Sequence, residues 1–210
     1  MDRERGLLDL SAGGSRHDAL REIGNIGSGH VLTALSRMTG KGFAVSAPEA
    51  EFLDYTELPA KIEGAEDVRV GVVLELSGDL CGFFMFVADW PLVNAILVSL
   101  GVGGTDGKTP ELDSMQRSAL LEVGNIIANS YVTAICELTG LSMSSSVPAM
   151  AVDMLGALLS LPAPHFALEE SRMIYVRSAF RINDEDFSGN IILLPDHQSL
   201  AKLMANIGLD

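Results

Sequence analysis

The chain has 210 residues, enough for a sizeable core in one large domain or two small ones. Hydrophobic residues make up 48% of it, which excludes a disordered chain. The net charge of −14, split as −7 in residues 1–105 and −7 in residues 106–210, argues against nucleic acid or an anionic membrane as partner.

The opening stretch, MDRERGLLDLSAGG, lacks the long apolar run of a signal peptide. Two cysteines, Cys81 and Cys136, make neither a disulfide framework nor a metal-ligand spacing, and they read as buried free thiols of a reducing cytoplasm. A long helix is predicted at about 16–39, closed by Thr39-Gly40. A strand follows at 42–48, then a short helix or turn at about 50–58, then strands at 68–77 and 81–88 joined through the hairpin signal Gly78-Asp79. From Phe83 to Gly104 the chain is strongly apolar with one charge, Asp89. Asp89-Trp90-Pro91 breaks that run as a helix start would, with Asp as cap and Pro in the first turn. The reading is therefore a strand and then a helix at 90–100, with no membrane span. The segment GVGGTDGKTP (101–110) is a junction. Beyond it the same order returns: a helix at 112–139 closed by Thr139-Gly140, a strand at 142–148, and a short helix or turn at about 151–161. Strands at 171–181 and 188–194 follow, joined through Asn183-Asp184-Glu185-Asp186, and a helix at 197–207 ends the series before Gly208.

The two series are related in sequence as well. LCGFFMFVADW (80–90) matches FSGNIILLPDH (187–197), with Gly82 over Gly189 and Asp89 over Asp196; the offset, 100 at the long helices, has become 107 here. Three strands per series are too few to bury both faces of a sheet. Two units sharing one sheet would solve this. The expected fold is α/β in the layered α+β sense: one domain over 1–210 built from repeats at about 15–104 and 112–210, with pseudo-twofold symmetry and a mostly antiparallel sheet flanked by long helices.

A four-residue constellation recurs within the repeats. The first copy is Asp18, Glu22, Asn25 and Pro48; the second is Ser118, Glu122, Asn125 and Pro148. Residues at i, i+4 and i+7 share one helix face, so Asp18, Glu22 and Asn25 form a polar row, as do Ser118, Glu122 and Asn125. Leu20, Ile23, Val31, Ala34, Leu35 and Met38 sit off the first row; Leu120, Leu121, Val123, Ile127, Val132, Ile135 and Leu138 sit off the second. Gly24 and Gly124 lie beside the rows and leave room for another backbone. A polar row is ordinarily a solvated face, but a solvated face tolerates any polar residue, and here Glu, Asn and Gly all recur. The proline alone reads as a strand-end or turn device. There is no GxSxG, no P-loop and no metal-ligand histidine pair; His17, His30, His165 and His197 are scattered. An exposed carboxamide can still act on a phosphoryl group held by another protein by orienting the attacking water, because loose phosphoryl-transfer transition states respond mainly to positioning and electrostatics.

The pattern resembles the CheC family of chemotaxis phosphatases, related to CheX and to the phosphatase-type flagellar switch protein FliY. The family's signature is Asp or Ser, three residues, Glu, two residues, Asn, twenty-two residues, Pro, and both copies carry it in full. LREIGNIGSGHVLTALSRMTG and LLEVGNIIANSYVTAICELTG also look like the family's helices, and the resemblance covers nearly the whole chain. It implies a cytoplasmic phosphatase acting on phosphorylated CheY. Asn25 and Asn125 would aim water, and Glu22 and Glu122 would bind a cation on the partner, plausibly the Lys beside its phosphate. Asp18, Ser118, Pro48 and Pro148 would be supporting residues. No cofactor is expected in this chain, with Mg2+ belonging to CheY. The rival reading is a non-catalytic CheY- or CheD-binding adaptor or a switch-type module. VDMLGALL (152–159) resembles the helix by which the family contacts the receptor deamidase CheD, through Asp153, Met154, Gly156 and Ala157; read plainly it is an amphipathic helix covering the sheet.

Overall fold

Alternation of side chains across extended backbone builds the centre of the molecule. The computed structural model describes residues 16–40, 43–45, 49–62, 64–105, 111–162, 172–182 and 185–207. In chain order the elements are α1 (Arg16–Thr39), β1 (Phe43–Val45), β2 (Glu49–Asp54), a 3-10 turn (Tyr55–Glu57) and α2 (Leu58–Lys61). Then come β3 (Val68–Gly78), β4 (Gly82–Ala88), α3 (Trp90–Ser99), α4 (Ser114–Thr139), β5 (Met143–Ser145), β6 (Ala149–Met154) and α5 (Leu155–Ser160). β7 (Arg172–Ile182), β8 (Glu185–Pro195) and α6 (His197–Asn206) complete the series. Pro48, the end of the junction at 106–110, Asn183-Asp184, His165, Gly208 and the opening stretch lie outside the described residues.

The eight strands form one antiparallel sheet with main order β1-β7-β8-β4-β3-β5. β2 continues along β7 past β1, and β6 continues along β3 past β5. The long strand of each series is thus edged by short strands from the other. At the centre β4 pairs with β8, Gly82 opposite Pro195 and Ala88 opposite Gly189.

Sequence expectation and structure part in three places. The segments expected as a short helix or turn at 50–58 and 151–161 begin as the strands β2 and β6 and turn helical only after them, at the 3-10 turn with α2 and at α5. EAEFLD and AMAVDM pair residue for residue with β7 and β3, and the ladder satisfies backbone groups that a solvent-exposed turn would leave to water. The strand expected at 142–148 shrinks to β5, and of the one expected at 42–48 the described residues form β1. Pro148 stands in the gap between β5 and β6, where it has no N–H to give the ladder. The loop expected through Glu185-Asp186 is already strand: Asp186 pairs with Arg181, whose Nε and Nη2 donate to its carboxylate at 2.8 and 3.0 Å.

Two apolar layers sandwich the sheet. On one face Val72, Leu74, Phe84, Phe86, Ile174, Val176, Ile191 and Leu193 meet the inner sides of α1, α3, α4 and α6. On the other, Met85, Val87, Met173, Tyr175, Ile192 and Leu194 meet Leu58 of α2 and Leu155, Leu158 and Leu159 of α5. Covered on both faces, β4 and β8 are runs of buried residues rather than alternating ones. α4 is long and apolar enough to cross a membrane by length and composition, but 56% of that window is buried inside the fold.

Local signals set the helix ends. Gly40 and Gly140 adopt left-handed backbone at φ 65° and 70° and close α1 and α4. Asp113 caps α4 in a reciprocal box with Gln116. Asp89 and Asp196 cap α3 and α6, accepting from the N–H of Leu92 and Ser199 at 3.0 and 2.7 Å. α1 and α4 meet where Gly27 faces Tyr131: a Cβ on Gly27 would fall 2.7 Å from the Tyr131 ring. The Tyr131 hydroxyl is shared with Ser28 at 2.9 Å and Ser178 at 3.3 Å, so one buried polar chain ties both helices to β7.

Candidate functional site

Burial of Leu20 and Ile23 in α1, and of Leu120 and Val123 in α4, turns the opposite faces of both helices outward. Each polar row lies on such a face. Asp18 and Asn25 are exposed and Glu22 is half-buried; Ser118 and Glu122 are exposed and Asn125 is half-buried. Among the described residues, Glu22, Asn25 and Glu122 have no hydrogen bond or ion pair with the rest of the chain. Asp18 lies 3.9 Å from Arg21 Nη2, and Ser118 makes no hydrogen bond to Glu122.

The two rows do not combine. Ser28 of α1 meets Tyr131 of α4, while Met38 at the end of α1 stands by Ser118 and Glu122 near the start of α4. The helices therefore run in opposite directions, and the rows sit at opposite ends of the pair. The second row borders a cleft of about 480 Å³ whose polar wall is Ser118, Glu122 and Asn125, with Pro148 beside them. Met38, Val102, Met115 and Leu121 give it an apolar rim. Pro148 is thus brought to its predicted partners, although it is far from them in sequence; Pro48 lies outside the described residues. Met38 and Leu121 also belong to this cleft rather than to the core.

At Gly124 the element that approaches is the chain's own sheet: a Cβ there would stand 2.5 Å from the Val72 side chain, so the glycine seats α4 on β3. Gly24 is likewise buried.

One site feature escaped the sequence reading. Asn129, one turn beyond Asn125, donates from Nδ2 to the Asn125 main-chain carbonyl and to Asn125 Oδ1, both at 2.9 Å. Its Oδ1 accepts from Ser145 Oγ at 3.1 Å. The i, i+4 spacing was visible, but the equivalent residue of the first copy is Gly29, so comparing copies passed over it.

Gly156 and Ala157 lie in α5, on the far face of the sheet, and Asp153 and Met154 end the strand that leads into it. They do not share one helix: Asp153 and Met154 end β6, opposite Arg69 and Val68 of β3, while Gly156 and Ala157 lie in α5. Asp153 does not cap α5; its Oδ1 accepts from the N–H of Met154, and the N-cap residue Met154 makes no side-chain cap bond. Asp153, Met154 and Gly156 are exposed. Among the described residues no group of three or more His, Cys, Asp or Glu is placed to hold a metal ion.

This architecture recurs in flagellar and chemotaxis proteins. It superimposes on FliY of Thermotoga maritima with a TM-score of 0.73 at 23% identity, covering 91% of this chain and 94% of that one. The FliM middle domain of H. pylori gives 0.65 at 9% identity, covering 90% and 95%. The class is therefore the mixed helix and antiparallel-sheet fold shared by FliY and FliM. Within it the match narrows: the CheC-like family profile matches residues 17–51 and 115–151, the two segments that carry the rows. The CheY-P phosphatase CheC of Bacillus subtilis (strain 168) is 32% identical over 195 residues, 91% of this chain and 93% of that protein. The chain belongs to the CheC-like family.

Proposed function

We propose that this protein is a phosphatase that hydrolyses the phosphoaspartate of phosphorylated CheY and that each polar row is a site for it. The observation that carries the reading is the state of the two Glu–Asn pairs. Each sits on the outward face of a rigid helix, and Glu22, Asn25 and Glu122 have no partner among the described residues to explain their identity. The similarity to a protein named CheY-P phosphatase supplies the substrate class.

In this reading a row docks against the receiver domain. Glu22 or Glu122 pairs with a cation next to the phosphoryl group. Asn25 or Asn125 holds a water in line with the phosphorus–oxygen bond to the aspartate. Attack of that water and cleavage of the bond release inorganic phosphate and leave the aspartate carboxylate. The carboxamide exchanges no proton and makes no covalent bond; it supplies position, the larger part of catalysis for loose phosphoryl transfer. The divalent cation of the reaction belongs to the receiver.

Phosphate release from phosphorylated CheY tests this. Asn25→Ala with Asn125→Ala should lower the stimulated rate by at least about 100-fold, the scale of losing a preorganised polar group at the reacting centre. Each single change should leave the other row working. A double variant with the full rate returns the chain to the adaptor reading.

CheD is proposed as a second partner, at the surface around Asp153, Met154, Gly156 and Ala157. Gly156 and Ala157, in α5, lie across the sheet from α1 and α4, so binding there and phosphatase activity should separate. Asp153→Lys should weaken CheD in calorimetric titration and leave basal phosphatase activity near normal. Because Asp153 faces Arg69, a thermal melt of the variant distinguishes lost binding from local unfolding. Unchanged affinity returns the segment to a cover for the sheet.

A further inference from the structure

We propose that Asn129, held by Ser145, is a positioning residue that fixes the carboxamide of Asn125, and that the row on α1 works without such a device. The kinetic consequence rests on the phosphatase reading above. The fixed carboxamide does not, being a property of the free protein.

The hydrogen bonds determine one another. The main-chain carbonyl of Asn125 can only accept, so the Asn129 side chain must present its NH2 to it, at 2.9 Å. That places the Asn129 oxygen on the other side, where the Ser145 hydroxyl donates to it at 3.1 Å. The same NH2 group meets the Asn125 side chain at 2.9 Å and requires an acceptor there. Asn125 therefore turns Oδ1 toward Asn129 and leaves both protons of its own Nδ2, with the second lone pair of Oδ1, for an incoming group. A mid-helix Asn is a poor helix former, and Asn129 is exposed, so neither propensity nor packing accounts for it. Ser145 arrives from β5, which the sheet holds opposite Leu76.

The first row contrasts with this. Asn25 is exposed and has no partner among the described residues. The position one turn on is Gly29, and a Cβ there would meet nothing within 4 Å. A free carboxamide samples both flips, offering a donor or an acceptor at the same point, and only one serves a given water. The second row begins from one flip, so less ordering remains for the docked state.

The test uses the full chain with Asn25→Ala, so that only the second row acts. Adding Asn129→Ala should lower kcat about fivefold, the scale of one hydrogen bond, while KM for phosphorylated CheY stays within about twofold. In the same proteins without CheY, side-chain 15N relaxation of Asn125 should show increased motion. Asn129→Asp, nearly isosteric but with an acceptor in place of the donor, should shift the Asn125 Nδ2 proton resonances as that group turns to meet the carboxylate. Unchanged relaxation in Asn129→Ala together with unmoved resonances in Asn129→Asp overturns the lock. Altered relaxation with unchanged kcat overturns the positioning role. Altered relaxation in Asn129→Ala, with a wild-type chain that releases no phosphate, leaves the lock standing and removes the phosphatase reading instead.

Discussion

Glu22, half-buried, and Glu122, exposed, have no cation among the described residues, and Asn25 and Asn125 are amides three residues further along the same faces. The division of labour proposed for them makes different demands on each. A carboxylate that pairs with a partner's cation acts in the docked ground state as much as in the transition state, so its loss belongs in KM. With Asn25→Ala in place, Glu122→Ala should raise KM for phosphorylated CheY about tenfold, the scale of a hydrogen bond to a charged group, with kcat little changed. Raising the salt concentration should raise the parent's KM and have less effect on the variant, because the attraction between exposed charges is screened. A fall in kcat with constant KM would move Glu122 from docking to chemistry.

The seam between α1 and α4 positions everything the two rows do, and two glycines on α1 separate packing from propensity. Gly27→Ala gains helix propensity of about 1 kcal/mol but drives a methyl into the Tyr131 ring, which is pinned at its hydroxyl by Ser28 and Ser178. Overpacking of about 1–3 kcal/mol should win, so the variant melts lower. Gly29→Ala meets open space and should melt higher. Chemical denaturation of the pair checks the sign of both. Tyr131 adds a pH signature: burial pushes its hydroxyl above the ordinary tyrosine range, against the pull of its bonds to Ser178 and Ser28. Burial likewise raises Tyr175. A raised folded value means that stability is fully present below about pH 10 and is lost as pH rises through the folded value. Of the three tyrosines, Tyr131 and Tyr175 should ionise late and together with unfolding in an absorbance titration. The long helices, their glycine caps and both polar rows were legible in sequence because each is written locally, in 3.6-residue spacing and terminal residues. β2 and β6 were not, because a short edge strand is specified by the strand it lies on, which belongs to the other half of the chain. Asn129 was missed for the opposite reason: comparing copies highlights what recurs, and this device occurs in one.

The interleaved sheet decides whether the halves can live apart. Of its ladders among the described residues, only β3–β4 and β7–β8 join strands from the same half; β1–β7, β2–β7, β4–β8, β3–β5 and β3–β6 all cross between halves. A separated half would keep one hairpin ladder, and an isolated two-stranded hairpin is marginal in water. It would also strip one hydrogen-bonded edge of β4 or β8 of its neighbour and uncover the apolar layer that α1 and α4 build together. The halves are therefore proposed to form one cooperative domain, the junction at 101–110 being a connection and not a boundary between independent units. Protease nicking within 101–110 should leave two fragments that co-elute with the intact chain on size exclusion and part only in denaturant. The nicked protein should still unfold in one transition, at a midpoint that now depends on concentration because unfolding releases two chains. Fragments that separate under native conditions and each keep a cooperative melt would overturn this, and would return the junction to a linker between two beads.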